Sequence, residues 1–170
     1  MLSLVAAIAV FSMSCIRGAR EATATLPSAV RDAIAARGFR PVPGRSECNV
    51  FRGQFARRGQ YGWAVFCAGD SGSRLYVSVD DSGKDIELVE SWPLQPTRSD
   101  SVARCDFWRA TPRVVQDYVQ HLKDEPGQGA EVLPELAPID HDGIEEGVGD
   151  VASLVYYRHG GRWLSFVGSD

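Results

Sequence analysis

Residues 62–90 read GWAVFCAGDSGSRLYVSVDDSGKDIELVE, a segment in which apolar runs alternate with turn residues. It contains three apolar runs separated by two Asp-Ser-Gly triplets, and the second run places Leu75, Val77 and Val79 at a period of two. A period of two is typical of β-strands, and Asp-Ser-Gly favours a tight turn. Strands joined by such short turns are antiparallel neighbours, because a parallel crossover needs a dozen or more residues. The stretch therefore predicts three consecutive antiparallel strands.

Further strands are predicted on both sides of this stretch. Residues 49–56 alternate apolar and polar positions before a turn at 57–60. Near the C-terminus, a Gly-Gly pair at 160–161 separates two apolar runs, and glycine tolerates the positive φ that a two-residue hairpin turn requires. The resulting register gives two apolar cross-strand pairs, Val155 with Phe166 and Tyr157 with Leu164.

Two amphipathic segments complete the predicted fold. Apolar residues at helical spacing predict helices over residues 27–37 and 112–123, the second beginning at a Thr-Pro pair. Residues 124–150 hold acidic residues, prolines and glycines but no Lys or Arg, which favours a long surface loop. We therefore expect residues 26–170 to form a single α+β domain, in which both helices cover one face of an antiparallel sheet of about six strands.

Charge limits the classes of partner. The formal net charge of the 170 residues is −4, which argues against a nucleic-acid-binding protein that relies on bulk positive charge. Basic residues outnumber acidic ones in the first half of the chain, and the reverse holds in the second half. Such asymmetry can steer a macromolecular partner, so we expect a binding partner that is not a nucleic acid.

The N-terminus predicts export. Residues 2–16 carry no charged side chain and are too few to span a bilayer comfortably as a helix, which needs about 20. Residues 12–15, Ser-Met-Ser-Cys, resemble the lipobox of bacterial lipoproteins, although that family usually has leucine where Ser12 stands. The resemblance implies that residues 1–15 are a signal peptide with its lipobox and that Cys15 is the acylated first residue of the mature chain. The polar residues that follow predict a linker over 16–25. The alternatives are a cleaved soluble export, an uncleaved anchor and a cytoplasmic apolar helix. The predicted location is extracytoplasmic, as a membrane-anchored lipoprotein or a secreted or periplasmic protein.

The remaining cysteines are Cys48, Cys67 and Cys105, an odd number if Cys15 is lipidated or removed. Export permits disulfides. Because Cys48 and Cys67 lie on opposite arms of a predicted hairpin, we expect a Cys48–Cys67 disulfide.

One segment resembles a catalytic motif. Residues 67–73, CAGDSGS, resemble the sequence around the nucleophilic serine of trypsin-like proteases. In that family the histidine precedes the serine, whereas all three histidines of this chain follow Ser71. A tight turn between strands accounts for the segment.

A second segment favours a metal. Residues 140–146, DHDGIEE, resemble the Asp-rich loops of EF-hands and FG-GAP repeats, and calcium prefers several hard oxygens. The resemblance implies Ca²⁺ ligands from the carboxylates of Asp140, Asp142 and Glu146 and the carbonyl of Ile144. The first ligand position of such a loop falls on Pro138, which has no side-chain oxygen, so a site here would be weak.

The chain as a whole resembles small exported bacterial proteins, a resemblance that implies no activity. We therefore expect a non-enzymatic cell-envelope protein, exported or lipid-anchored, that acts as a binding or structural module for a macromolecular partner. One alternative is a small extracytoplasmic hydrolase whose site combines residues distant in sequence. Another is a weak calcium-binding domain.

Overall fold

The computed structural model describes residues 25–42, 48–93, 107–124, 138–148 and 152–167. Within these ranges the chain is mostly antiparallel sheet with two helices, so the predicted α+β class is confirmed. The helices are α1 (Ser28–Ala35) and α2 (Pro112–Asp124). The strands, in chain order, are β1 (Phe39–Pro41), β2 (Val50–Gly53), β3 (Gly62–Gly69), β4 (Gly72–Ser78), β5 (Ile86–Trp92), β6 (Phe107–Ala110), β7 (Gly143–Val148), β8 (Ala152–His159) and β9 (Arg162–Val167).

The first sheet contains strands β1 to β5, all paired antiparallel. Strand β3 has β4 along one side, while β1 and β2 pair with different parts of its other side. The register between β4 and β5 shifts between Leu75 and Tyr76, as at a β-bulge. The three strands predicted from residues 62–90 are therefore confirmed.

The second sheet has the order β6-β7-β8-β9, again antiparallel throughout. The β8–β9 hairpin turns at Gly160 and Gly161, whose φ angles of 57° and 80° lie in the left-handed region that glycine adopts without strain. The predicted register is confirmed, with Val155 opposite Phe166 and Tyr157 opposite Leu164.

The two sheets bury a shared aromatic core. The rings of Phe66 on β3 and Phe107 on β6 stack with centroids 4.8 Å apart, and Trp92 on β5 contacts both. Ile144 on β7 and Tyr156 on β8 are buried in the same cluster. The sheets therefore face each other.

Each helix covers the outer face of one sheet. On α1, Val30 and Ile34 pack in one buried cluster with Val65 and Cys67 of β3. On α2, Val115, Val119 and Leu122 pack with the β8 residues Val155 and Tyr157. The layers therefore run helix, sheet, sheet, helix.

The prediction of one sheet of about six strands with both helices on one face is wrong. The described strands form sheets of five and four, and each helix has its own sheet. Strand β3 explains the difference, because residues 62–67 are all buried and the strand is covered on both faces. A strand of this kind shows which residues are buried but not which element covers each face.

The predicted surface loop over 124–150 is wrong in its last part. Residues 143–148 form β7, an interior strand of the second sheet between β6 and β8. Glu146 on this strand is buried, and its Oε2 accepts a hydrogen bond of 2.6 Å from the Tyr156 hydroxyl. Acidic composition favoured a loop, but a hydroxyl donor lets the strand bury this carboxyl group. Residues 125–137 lie outside the described part.

The predicted Cys48–Cys67 disulfide is wrong. Cys67 is a free, buried cysteine, whereas Cys48 is disulfide-bonded. Cys67 points into the cluster beneath α1, and its partner across the sheet is Pro41 of β1, because the pairing of β2 with β3 ends at Val50 and Val65. The backbone N–H of Asn49 instead donates 3.1 Å to the carbonyl of Phe107, so residue 48 lies beside the start of β6.

The predicted signal peptide, linker and acylated Cys15 fall on residues 1–25, of which 1–24 lie outside the described residues. In the part of the chain that the structure describes, neither helix is long and apolar enough to cross a bilayer.

Candidate functional site

Asp142, one of the predicted calcium ligands, holds the β2–β3 loop against the start of β7. Its buried carboxylate accepts the N–H of Gln54 at 2.8 Å, and its own N–H donates to the Gln54 carbonyl at 2.9 Å. Gly53 makes this approach feasible, because a Cβ at that position would lie 3.1 Å from Asp142 Oδ2 and 2.5 Å from the Phe55 ring. Asp142 is therefore engaged within the protein.

The four predicted calcium ligands do not converge. Asp142, Ile144 and Glu146 lie at alternate positions along extended chain, which separates the first and last Cα atoms by about 13 Å at roughly 3.3 Å per residue. Asp140 is half-exposed and contacts the ring of His141 instead. Among the described residues, no group of three or more His, Cys, Asp or Glu side chains could hold one metal ion.

His141 has both ring nitrogens engaged. Because a carbonyl only accepts, Nε2 donates to the Arg158 carbonyl at 2.8 Å. Nδ1 lies 2.8 Å from Asp140 Oδ1 and 3.0 Å from the Tyr157 hydroxyl, and the imidazole stacks on the Tyr157 ring at 4.4 Å. Burial raises the pKa of Tyr157 to about 12. This arrangement fixes the end of β8 and leaves His141 no nitrogen with which to activate a nucleophile.

Glu145 forms a second polar cluster, between α2 and the second sheet. Its carboxylate accepts a hydrogen bond of 2.6 Å from Trp108 Nε1 and another from the Tyr118 hydroxyl. That hydroxyl also lies 2.7 Å from Ser153 Oγ. Burial, and next the hydrogen bond to Glu145, raise the pKa of Tyr118. The cluster satisfies partly buried polar groups under α2 and leaves Ser153 without a histidine partner among the described residues.

The cysteine and serine that resembled a protease motif are poor nucleophiles. Cys67 is fully buried, and desolvation raises the pKa of its thiol from 9.0 to about 12. Ser71 lies on the exposed turn between β3 and β4. In the described part of the chain, none of the three histidines forms a hydrogen bond with a serine or cysteine.

A cleft of about 510 Å³ lies where both sheets contribute to one end of the molecule. Its walls come from the β2–β3 loop, the turn and start of β5, and the end of β8. Three cationic and two acidic side chains share the lining with the apolar Ala56, Val79 and Ile86. The charged residues are Arg57, Lys84, Asp85, Glu87 and Arg158. The volume lies in the range of small-ligand sites, although charged side chains outnumber apolar ones in this lining.

Arg158 is oriented by Glu87 across the two sheets. Arg158 Nε and Nη2 each donate to one Glu87 oxygen at 2.8 Å, a two-point geometry that guanidinium and carboxylate share. Trp163 Nε1 donates to the same carboxylate at 2.9 Å. Glu87 thus accepts three N–H groups, and Arg158 is held against the cleft wall.

The β2–β3 loop is held by its own side chains. Gln60 accepts the Nε–H of Arg57 at 2.9 Å, and the Gln60 N–H donates to the Arg57 carbonyl at 3.2 Å. The side-chain oxygen of Gln54 accepts the N–H of Gly59. A loop stabilised in this way loses little conformational entropy when a ligand binds.

Comparisons with protein-family models, curated proteins and solved structures found nothing that matches this chain. The fold and the site therefore define the class: an α+β protein of two facing antiparallel sheets, each covered by one helix, with a charged cleft between their ends.

The cleft was not predicted from the sequence, although the sequence contains one signal for it. Successive hairpins alternate ends, so the turn at residues 57–60 and the turn at residues 80–85 are expected at the same end of the first sheet. Lys84 and the two arginines of the first turn were therefore predictable neighbours. Arg158 was not, because its position depends on how the second sheet packs.

Proposed function

We propose that this protein is a non-enzymatic, exported or lipid-anchored binding module of the cell envelope, and that its cleft receives an exposed group of a macromolecular partner. The observation that carries the proposal is the cleft of about 510 Å³, whose two arginine side chains are oriented by a hydrogen bond within the β2–β3 loop and by an inter-sheet ion pair. The part of the proposal that concerns export rests on the apolar N-terminal run and on the lipobox-like sequence that ends at Cys15.

The environments of His141 and Cys67 favour a binding function over a hydrolytic one. A hydrolytic site needs a base with a lone pair directed at a nucleophile or water. Both nitrogens of His141 are engaged, and Cys67 is a buried thiol with a raised pKa. Arg57 and Lys84, in contrast, present their charges to the cleft. The exposed groups suit recognition better than bond cleavage.

The test is to block the cleft without changing its charge. Ala56→Phe places a ring in the lining, and Ala35→Phe adds the same ring at an exposed position of α1 outside the lining. The probes are a panel of neutral sugars, amino acids, dicarboxylates and phosphate esters, titrated into ¹⁵N-labelled protein. We expect at least one probe to shift the amides around the cleft in wild type and Ala35→Phe, and not in Ala56→Phe.

The amides of residues 57, 84 and 158 are the diagnostic signals. Shifts that are equally large in Ala56→Phe would place binding elsewhere. The absence of saturable shifts with every probe would refute the cleft as a binding site.

A further inference from the structure

The cationic groups of the cleft keep unused hydrogen-bond donors. Arg57 uses Nε on Gln60, and its two terminal nitrogens have no partner among the described residues. The Lys84 ammonium forms no side-chain hydrogen bond or ion pair in the same part of the chain; hydrogen bonds from Ser82, and also the charge of Lys84, lower the pKa of the nearby Asp80 carboxyl. Arg158 uses Nε and Nη2 on Glu87, which leaves Nη1 without a described partner. Donors from three separate elements therefore line one cleft.

The two carboxylates of the lining do not cancel this excess of donors. Glu87 already accepts three N–H groups, so its charge is compensated where it lies. Asp85 is exposed, and with three cations against two carboxylates the lining keeps one positive charge in excess. The apolar side chains of the lining exclude some water, which strengthens the attraction between the cations and an anion in the cleft.

We propose that the cleft binds an oxyanion, a carboxylate or a phosphate, that forms the head of a larger molecule. This inference rests on the proposed function and names its ligand class. Guanidinium groups match the planar or tetrahedral oxygens of these anions with two parallel donors, and lysine adds a mobile point charge. The cleft is much larger than an isolated oxyanion, so the rest of the ligand lies along the walls.

The experiment titrates full-length protein with inorganic phosphate and with succinate, using sodium chloride at equal ionic strength as the reference. Calorimetry gives the affinity, and backbone amide shifts give the location. The test variants are Lys84→Gln and Arg57→Gln. The matched control is Arg113→Gln, an exposed arginine on α2 that is not part of the lining.

We expect saturable binding of one of the two anions in wild type and in Arg113→Gln. Each cleft variant should weaken it at least about tenfold, which corresponds to one lost charge-assisted contact. The anion that binds more tightly identifies the head group as carboxylate or phosphate.

Equal shifts with chloride, or equal losses in Arg113→Gln and Lys84→Gln, would mean general screening and would overturn the oxyanion inference. If neutral probes bind in the cleft and neither anion does, the inference fails and the binding function stands. If neither class of probe binds, both fail. Unchanged melting temperatures of the variants verify that they are folded.

Discussion

The wild-type protein should lose part of its free energy of unfolding at alkaline pH because of the buried thiol of Cys67. Substituting Cys67 should remove this loss. Burial raises its pKa from 9.0 to about 12, so the folded protein keeps the proton that the unfolded chain loses above pH 9. The stability associated with the neutral thiol is complete below pH 9 and is lost as the pH rises towards 12. At about 1.36 kcal/mol per pH unit, the loss reaches about 1.4 kcal/mol at pH 10.

Cys67→Ala removes this titration and leaves the other alkaline groups, such as Tyr157, in place. Denaturant unfolding between about pH 8 and 10 measures the difference in the free energy of unfolding. The mutant begins with a constant deficit from the lost packing, and we expect the wild type to lose about 1.4 kcal/mol relative to it across that range.

Val65→Ala is the matched control, because Val65 lies on the same strand and in the same buried cluster beneath α1. It should lower stability by the same amount at every pH. Parallel curves for wild type and Cys67→Ala would refute the reasoning, since they would mean that the thiol ionises equally well in the folded protein.

Four other results are expected. Glu87→Ala should lower the free energy of unfolding by about 2 kcal/mol in denaturant titrations, because three N–H groups lose a partly buried acceptor; an unchanged value would make this ion pair dispensable. Millimolar calcium should shift the melting temperature no more than magnesium does, and a calcium-specific shift that Asp142→Asn removes would restore the metal site. Intact-mass measurement of native protein should find a diacylated chain that begins at Cys15, and an unlipidated mature chain with another start would contradict it. Non-reducing peptide mapping should join Cys48 to Cys105, since residue 48 lies beside the start of β6; a Cys48 peptide joined elsewhere would show this to be wrong.

Local patterns predicted the hairpins correctly. The pairs Val155–Phe166 and Tyr157–Leu164 follow from a two-residue turn, so register could be counted along the chain. The helices could also be predicted from nearby residues, because a proline marks the start of each helix and the spacing of apolar residues marks its core face. These features depend only on residues close in sequence.

Features that depend on distant partners were missed. Strand β7 is acidic, and the hydroxyl of Tyr156 and the donors around Glu145 help to make it compatible with an interior position. Strands β1 and β6 have three and four residues, too few for periodicity to appear. The cleft likewise needs Arg158 beside Glu87, 71 positions away in sequence.

Each sheet and its helix come from one continuous half of the chain, with β1 to β5 and α1 before residue 93 and β6 to β9 and α2 after residue 106. Among the described strands, all pairing is therefore completed within a half. The docking of the two halves joins distant parts of the chain, and it includes the hydrogen bond from the Asn49 N–H to the Phe107 carbonyl. Local pairing forms faster than distant contacts, so each half is expected to assemble its hairpins first, and docking through the ring contact between Phe66 and Phe107 to come last. A half made alone would expose that aromatic surface and be prone to aggregation. We expect the first half to keep this surface exposed until the second half docks and covers it.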